Sequence, residues 1–236
     1  MPSVATAWRW YATGAVLVAA LATTVAAFAA ASAGPMLRQR ATTPSDAGYL
    51  GTELGMEDAP NFRLMDQRGE AVRLSDSRGK AVALAFLDPQ CTDVCPLTAT
   101  QFRLAAQALG DRATDAVFIA INVNIQAASL ADVQDATERW GNGEMPNWYF
   151  LTGSPPELRP VWDAYHVATE AGPKSDKPNE QMHTPGVFLI DQAGRRRWYV
   201  SIPFAHAATD TWAGPPLDRV IETRFRQLWQ EERSER

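Results

Sequence analysis

Apolar and polar residues alternate along most of this chain in short blocks that predict strands and helices in turn. Three apolar runs, interrupted only at Asn122 and typical of strands buried on both faces, occur at 81–87, 117–123 and 148–151. Apolar residues at helical spacing predict helices over 97–109, 129–140 and 154–165. Ser129 and Ser154 stand where N-caps are expected, and Pro155 suits the first helical position.

Two turn motifs between short apolar runs predict hairpins. Residues 66–69 (Asp-Gln-Arg-Gly) separate 62–65 from 71–74, and residues 191–194 (Asp-Gln-Ala-Gly) separate 187–190 from 198–200. A last amphipathic helix is predicted from one apolar stripe, formed by Leu217, Val220, Ile221, Phe225, Leu228 and Trp229. Strands alternating with helices indicate an α/β protein, in which a central mixed sheet is flanked by helices.

The amino terminus is different from the rest of the chain. Residues 10–37 carry no charge and are rich in Ala, Val and Leu. This run is long enough for a transmembrane helix, which needs roughly 20 apolar residues. Trp8, Trp10 and Tyr11 would form its aromatic anchor at one membrane surface. A cleaved signal peptide is the alternative, because Ala31-Ser32-Ala33 fits the small-residue cleavage pattern.

These patterns divide the chain into three parts. Residues 1–37 are predicted to be the membrane anchor or signal segment, and both interpretations place the rest outside the cytoplasm. Residues 38–58 are rich in Thr, Ser, Pro, Gly and Asp, which predicts a flexible tether. Residues 59–236 then form the globular domain.

Composition excludes several classes of function. The chain has 236 residues, of which 46% are apolar and 21% charged, so wholesale disorder is excluded. A net charge of −5 argues against a nucleic-acid partner. Two cysteines are too few for a disulfide scaffold or a four-cysteine zinc site.

Those two cysteines lie where an α/β sheet places its chemistry. Cys91 and Cys95 follow the buried run 81–87 and open the next helix. If both lie on one helical turn, their sulfurs face the same way and their Cα atoms fall within the range of about 4.4–6.8 Å that a disulfide can close. We expect the two cysteines to lie on an exposed turn. The pair could bind a soft metal when reduced, or form a disulfide when oxidised.

A third ligand would come from the three histidines. Copper(I) accepts a combination of thiolate and imidazole ligands. We favour His183, which precedes the run 187–190 in a loop that the strand order can bring beside the cysteines; His166 and His206 are weaker candidates.

The ordered set of motifs resembles the Sco/SenC family. Cys91-Thr92-Asp93-Val94-Cys95-Pro96 after a strand is similar to the family signature. The stretch 148–155 and His183 leading into Phe188-Leu189-Ile190-Asp191 also match, and the resemblance covers about 58–205. The lead-in 87–90 departs from the family's usual aromatic-containing pattern.

This resemblance implies a thioredoxin-like copper chaperone of cytochrome c oxidase assembly. Cys91, Cys95 and His183 would bind one copper ion, Cu(I) or Cu(II), and Asp93 would tune the site. The implied partners are cytochrome c oxidase subunit II, a copper donor and a thiol reductant. A single-pass anchor would hold the domain at the extracytoplasmic face of the membrane.

Two other functions stay open at the level of sequence. The same scaffold carries thiol–disulfide oxidoreductases, in which Cys91 and Cys95 would be a redox-active pair acting on oxidase cysteines. Such enzymes usually place two residues between their cysteines, whereas this chain has three, so an enzyme is the less favoured hypothesis. A copper-responsive sensor without a transfer role is the third.

Overall fold

The fold is given by a computed structural model that describes residues 50–171, 181–183, 186–201 and 215–235, excluding the side chains of 170–171 and 181–183. Within these ranges the strands are β1 (Thr52–Glu53), β2 (Arg63–Met65), β3 (Ala71–Arg73), β4 (Ala81–Leu87), β5 (Ala116–Asn122), β6 (Trp148–Leu151), β7 (Thr169–Ala171), β8 (Gln181–His183), β9 (Val187–Ile190) and β10 (Arg196–Val200). The helices are α1 (Val94–Leu109), α2 (Leu130–Arg139), α3 (Pro155–Ala164) and α4 (Leu217–Glu235).

A six-stranded mixed sheet organises the domain in the order β1-β10-β9-β4-β5-β6. β4, β5 and β6 are parallel, whereas β9, β10 and β1 pair antiparallel. All seven residues of β4 and all seven of β5 are buried, as their almost wholly apolar sequences predict. The predicted α/β architecture with a central mixed sheet is therefore confirmed.

The two faces of the sheet carry separate apolar clusters. Ala83 and Ala85 of β4 face one cluster, where small side chains leave room for Phe102 of α1 and Phe225 of α4. Leu84 and Phe86 face the other cluster, which includes residues of α3. Helices α1, α2 and α4 thus cover one face, and α3 with the β2–β3 hairpin covers the opposite face.

Several local predictions are confirmed and two boundaries differ. Both hairpins form, and Ser129 caps α2 with its side chain. Helix α1 begins at Val94, three residues before the predicted start, and so includes Cys95 but not Cys91. Thr52–Glu53, within the segment predicted as a tether, adds strand β1 to the edge of the sheet.

The amino-terminal predictions lie outside the described residues. The segment 1–37 and most of the segment 38–58 fall in this category. In the part of the chain that is described, none of the helices has both the length and the apolar character needed to cross a bilayer.

Candidate metal centre

The loop between β4 and α1 is built around a buried carboxyl group. Asp88 directly follows β4 and is fully buried. Its Oδ1 accepts hydrogen bonds from the Gln90 N–H (2.8 Å) and from Asn124 Nδ2 (3.1 Å), and its backbone oxygen accepts one from the Cys91 N–H (3.1 Å). Because Asn124 lies just beyond β5, these bonds tie the cysteine loop to the neighbouring strand.

Helix α2 also holds this loop through a hydrogen bond. Arg139 Nη2 donates to the backbone oxygen of Pro89 at 2.8 Å and is itself paired with Asp135. The cysteine loop is thus held by groups from the end of β5 and from α2, which gives the first cysteine a defined position before any ligand binds.

The two cysteines meet at the amino terminus of α1. Cys91 lies in the loop and Cys95 in the first turn of the helix, and the Cys95 N–H donates to Cys91 Sγ at 3.4 Å. Both are free thiols. Cys91 precedes α1, so the two cysteines do not share a helical turn, yet the loop brings them together.

Asp93 connects the first cysteine with the start of the helix. Its Oδ1 accepts hydrogen bonds from Cys91 Sγ (3.1 Å) and from the Val94 N–H. Thr92 and Asp93 are exposed, whereas Cys91 and Cys95 are only 3% and 1% exposed. The turn is therefore exposed as predicted, but its cysteines are covered.

The environment of Cys95 keeps its thiol protonated. The pKa of Cys95 is raised well above its ordinary value, chiefly by a hydrogen bond with Cys91, then by burial and by the charges of Cys91 and Asp88; a backbone hydrogen bond at Asp88 acts in the opposite direction. A metal that binds this sulfur must displace a proton.

The predicted histidines have three different outcomes. His166 follows α3, is exposed and has a positive φ of 55°. His206 lies outside the described residues. His183 ends β8 in the described backbone, but its side chain does not belong to the described part. Among the side chains that are described, no group of three His, Cys, Asp or Glu residues is arranged to hold a metal.

The pairing of β9 with β4 nevertheless indicates toward which end of the sheet the chain before β9 leads. Val187, which opens β9, pairs with Ala85 of β4 in antiparallel register. Cys91 comes six residues after Ala85, and His183 comes four residues before Val187. Antiparallel pairing therefore directs both connections to the same end of the sheet.

The sequence analysis did not identify the buried polar residues beside the cysteine loop. Asp88, Asn122 and Asn124 are fully buried, and the Asn122 side chain accepts the Asn124 N–H at 2.7 Å. Their signal was available, because Asp88 directly follows the buried strand 81–87, and Asn122 and Asn124 stand at the carboxyl end of the buried strand 116–122. That edge is where open α/β sheets place their sites.

Comparison with known proteins identifies the family. The SCO1/SenC family model matches residues 53–208, well over half of the chain. The chain belongs to the SCO1/SenC family. No curated protein sequence matches it significantly.

Solved structures similar to this SCO1/SenC protein agree on the fold. Bradyrhizobium japonicum ScoI, solved with copper bound, has 22% identity and a TM-score of 0.58, covering 72% of this chain and 99% of that one. A SCO1/SenC family lipoprotein from Bacillus anthracis has 17% identity and a TM-score of 0.60, covering 74% and 96%.

A third neighbour is described as part of an oxidoreductase. The thioredoxin domain of a thiol-disulfide oxidoreductase from Bacteroides vulgatus has 16% identity and a TM-score of 0.52, with coverage of 75% of this chain and 99% of that one. These likenesses establish the thioredoxin-like fold that the resemblance implied.

Proposed function

We propose that this SCO1/SenC protein binds one copper ion, Cu(I) or Cu(II), through Cys91, Cys95 and His183, and delivers it to the binuclear copper centre of cytochrome c oxidase subunit II. The observation that carries the proposal is the pair of free thiols brought together at the start of α1. The copper bound by the ScoI neighbour supports the choice of metal.

The chemistry of the two sulfurs favours copper over harder metals. Thiolates are soft ligands that select Cu(I), and imidazole also suits copper. Mg²⁺ and Ca²⁺ prefer oxygen ligands, and among the described residues no group of three or more carboxylates is arranged to provide them. A loop held by Asn124 and Arg139 keeps Cys91 in place for the incoming ion.

His183 is proposed as the third ligand on chemical and topological grounds. The antiparallel register of β4 and β9 supports this choice, because it directs the chain on either side toward one end of the sheet. His166 is less suitable because it lines a cavity with Phe86 and Phe188, which belong to the cluster on the opposite face from Cys95.

The proposed cycle has three steps. A partner dithiol first reduces any Cys91–Cys95 disulfide, giving two thiols here and a disulfide on the partner. Copper then binds both sulfurs with release of their protons. Finally, cysteine thiolates of subunit II displace the ligands one at a time, while protons return to the sulfurs that the metal leaves.

We further propose that residues 1–37 anchor the domain at the extracytoplasmic face of a membrane. The uncharged run 10–37 supports this proposal. The B. anthracis relative is described as a lipoprotein, which is compatible with a family that works at a membrane.

A thiol–disulfide oxidoreductase is the second candidate function. The free thiols of Cys91 and Cys95 and the fold shared with the B. vulgatus oxidoreductase domain support it. The raised pKa of Cys95 argues against rapid attack by this sulfur at neutral pH, since the thiolate is the nucleophile.

Metal analysis combined with a reductase assay separates the two functions. We expect the reduced full chain to hold one copper per chain, and Cys91→Ser, Cys95→Ser and His183→Asn each to lose tight binding. His166→Asn is the matched control, because Asn tolerates the positive φ at this exposed position. Reduction of a disulfide substrate at a substantial rate without copper would favour the enzyme, and full copper binding by His183→Asn would overturn the ligand assignment.

A further inference from the structure

A cavity of about 480 Å³ lies far from the thiols, at the amino-terminal ends of the parallel strands. Lys80 immediately precedes β4, Val117 is near the start of β5 and Tyr149 near the start of β6, and all three line it. Cys91 lies beyond the other end of β4. Because a seven-residue strand is about 20 Å long, the cavity and the cysteine pair are separate sites.

Several residues that line the cavity are small. Ala106 of α1, Ala113 and Gly141 are among them. Met145 and Tyr149 give the remaining wall an apolar surface. The volume is within the range of about 300–1,000 Å³ that is usual for small-molecule sites.

Two cations face this cavity without a partner. Lys80 and Arg103 line it, and neither forms an ion pair or a side-chain hydrogen bond with any residue that the structure describes. The Nε atom of Arg103 is buried without an acceptor. Arg195, Arg196 and Arg197, in contrast, are each paired with a carboxylate.

The charged residues that line the cavity indicate which kind of ligand would bind there. In a chain with a net charge of −5, two unpaired cations beside apolar walls attract an anion with an apolar body. A carboxylate matches the guanidinium of Arg103 in geometry as well as in charge. Glu144, which also lines the cavity, would repel a second negative charge and so favours a ligand with only one.

We propose that this cavity is a binding site for a small organic monocarboxylate, with the carboxylate held by Arg103 and Lys80 and the apolar body against Met145 and Tyr149. The site is independent of copper binding at Cys91 and Cys95, and the proposal does not rest on that function.

The test uses 3-phenylpropionate and its neutral analogue 3-phenylpropanamide, which differ mainly in charge. Calorimetric titration of the full chain should give saturable one-to-one binding of the acid, with the amide at least tenfold weaker because a charge-assisted hydrogen bond is lost. Equal binding of acid and amide, or no saturable binding of the acid, would overturn the proposal.

Substitutions of the residues that line the cavity test whether the acid binds there. Arg103→Gln and Lys80→Gln should each weaken the acid several-fold, whereas Glu144→Gln should strengthen it because a repulsive charge is removed. Arg159→Gln, at an exposed cation outside the cavity, is the matched control and should leave binding unchanged. Lys80 is exposed, so its variant remains informative if Arg103→Gln is unstable. Binding that none of the cavity variants alters refutes the site.

Discussion

Removing the side chain of Asn124 should loosen the cysteine loop at a cost that can be worked from its hydrogen bonds. Asn124 Nδ2 donates to Asp88 Oδ1 at 3.1 Å, and Asn124 Oδ1 accepts from the Gln126 N–H at 2.9 Å. A hydrogen bond to a carboxylate contributes about 1.5–3 kcal/mol and a neutral one about 1 kcal/mol. Asn124→Ala should therefore lower the free energy of unfolding by about 2–4 kcal/mol, or by roughly 4–16 °C in Tm for a domain of this size.

Asn147→Ala is the matched control for this variant. Asn147 Nδ2 donates to the backbone oxygens of Ala113 (2.8 Å) and Ala116 (3.0 Å), away from the cysteines. Both variants should be less stable in chemical denaturation, but only Asn124→Ala should also lower copper affinity and speed alkylation of the thiols. The reasoning is refuted if the two variants lose stability similarly and bind copper equally well.

Four further predictions concern the Cys95 thiol, a helix cap and the core. Because a hydrogen bond with Cys91 is the main cause of the raised pKa of Cys95, Cys91→Ala should lower that pKa, measured by NMR titration of the Cys95 Cβ; an unchanged midpoint contradicts this cause. The same raised pKa means that reduced wild type should lose stability as pH rises above about 9, with a weaker loss in Cys95→Ala. Ser129→Ala removes the acceptor of the Asp132 N–H and should cost about 1 kcal/mol in urea denaturation, whereas Ser234→Ala, at an exposed position near the end of α4, should cost less than half of that. Phe102→Ala should cost about 3–5 kcal/mol, because its ring is fully buried against Phe118 and Trp148; a loss below about 1 kcal/mol would show that the core refills the space.

Sequence patterns predicted the elements that build the centre of the fold. β4 and β6 have the predicted bounds and β5 is shifted by one residue. These strands were predictable because long apolar runs need burial on both faces. β1 gave no comparable signal. Its two residues are exposed and pair with β10 through the backbone, and the N–H of the adjoining Leu54 donates to the Arg197 oxygen at 2.8 Å. Backbone bonds of this kind do not depend on side-chain pattern. The β7–β8 pair was missed because its strands, Thr-Glu-Ala and Gln-Met-His, carry mostly polar residues and no apolar run.

The candidate site was predictable in part. Motif and position identified Cys91 and Cys95, and the structure brings them together. The buried contact between Asp88 and Asn124 depends on β4 and β5 being neighbours, which the sequence does not specify for residues 36 positions apart. The raised pKa of Cys95 likewise follows from burial and from a neighbouring thiol, both of which exist only after folding.

X-ray absorption spectroscopy of the copper-loaded, reduced full chain tests the central claim most directly. The claim is that two sulfurs and one imidazole bind the same copper ion. We predict a first shell with two sulfur ligands and one nitrogen, with the outer-shell scattering of an imidazole ring. That ring scattering should disappear in His183→Asn and persist in His166→Asn. A wild-type spectrum with sulfur ligands alone, or ring scattering that survives in His183→Asn, would contradict the account.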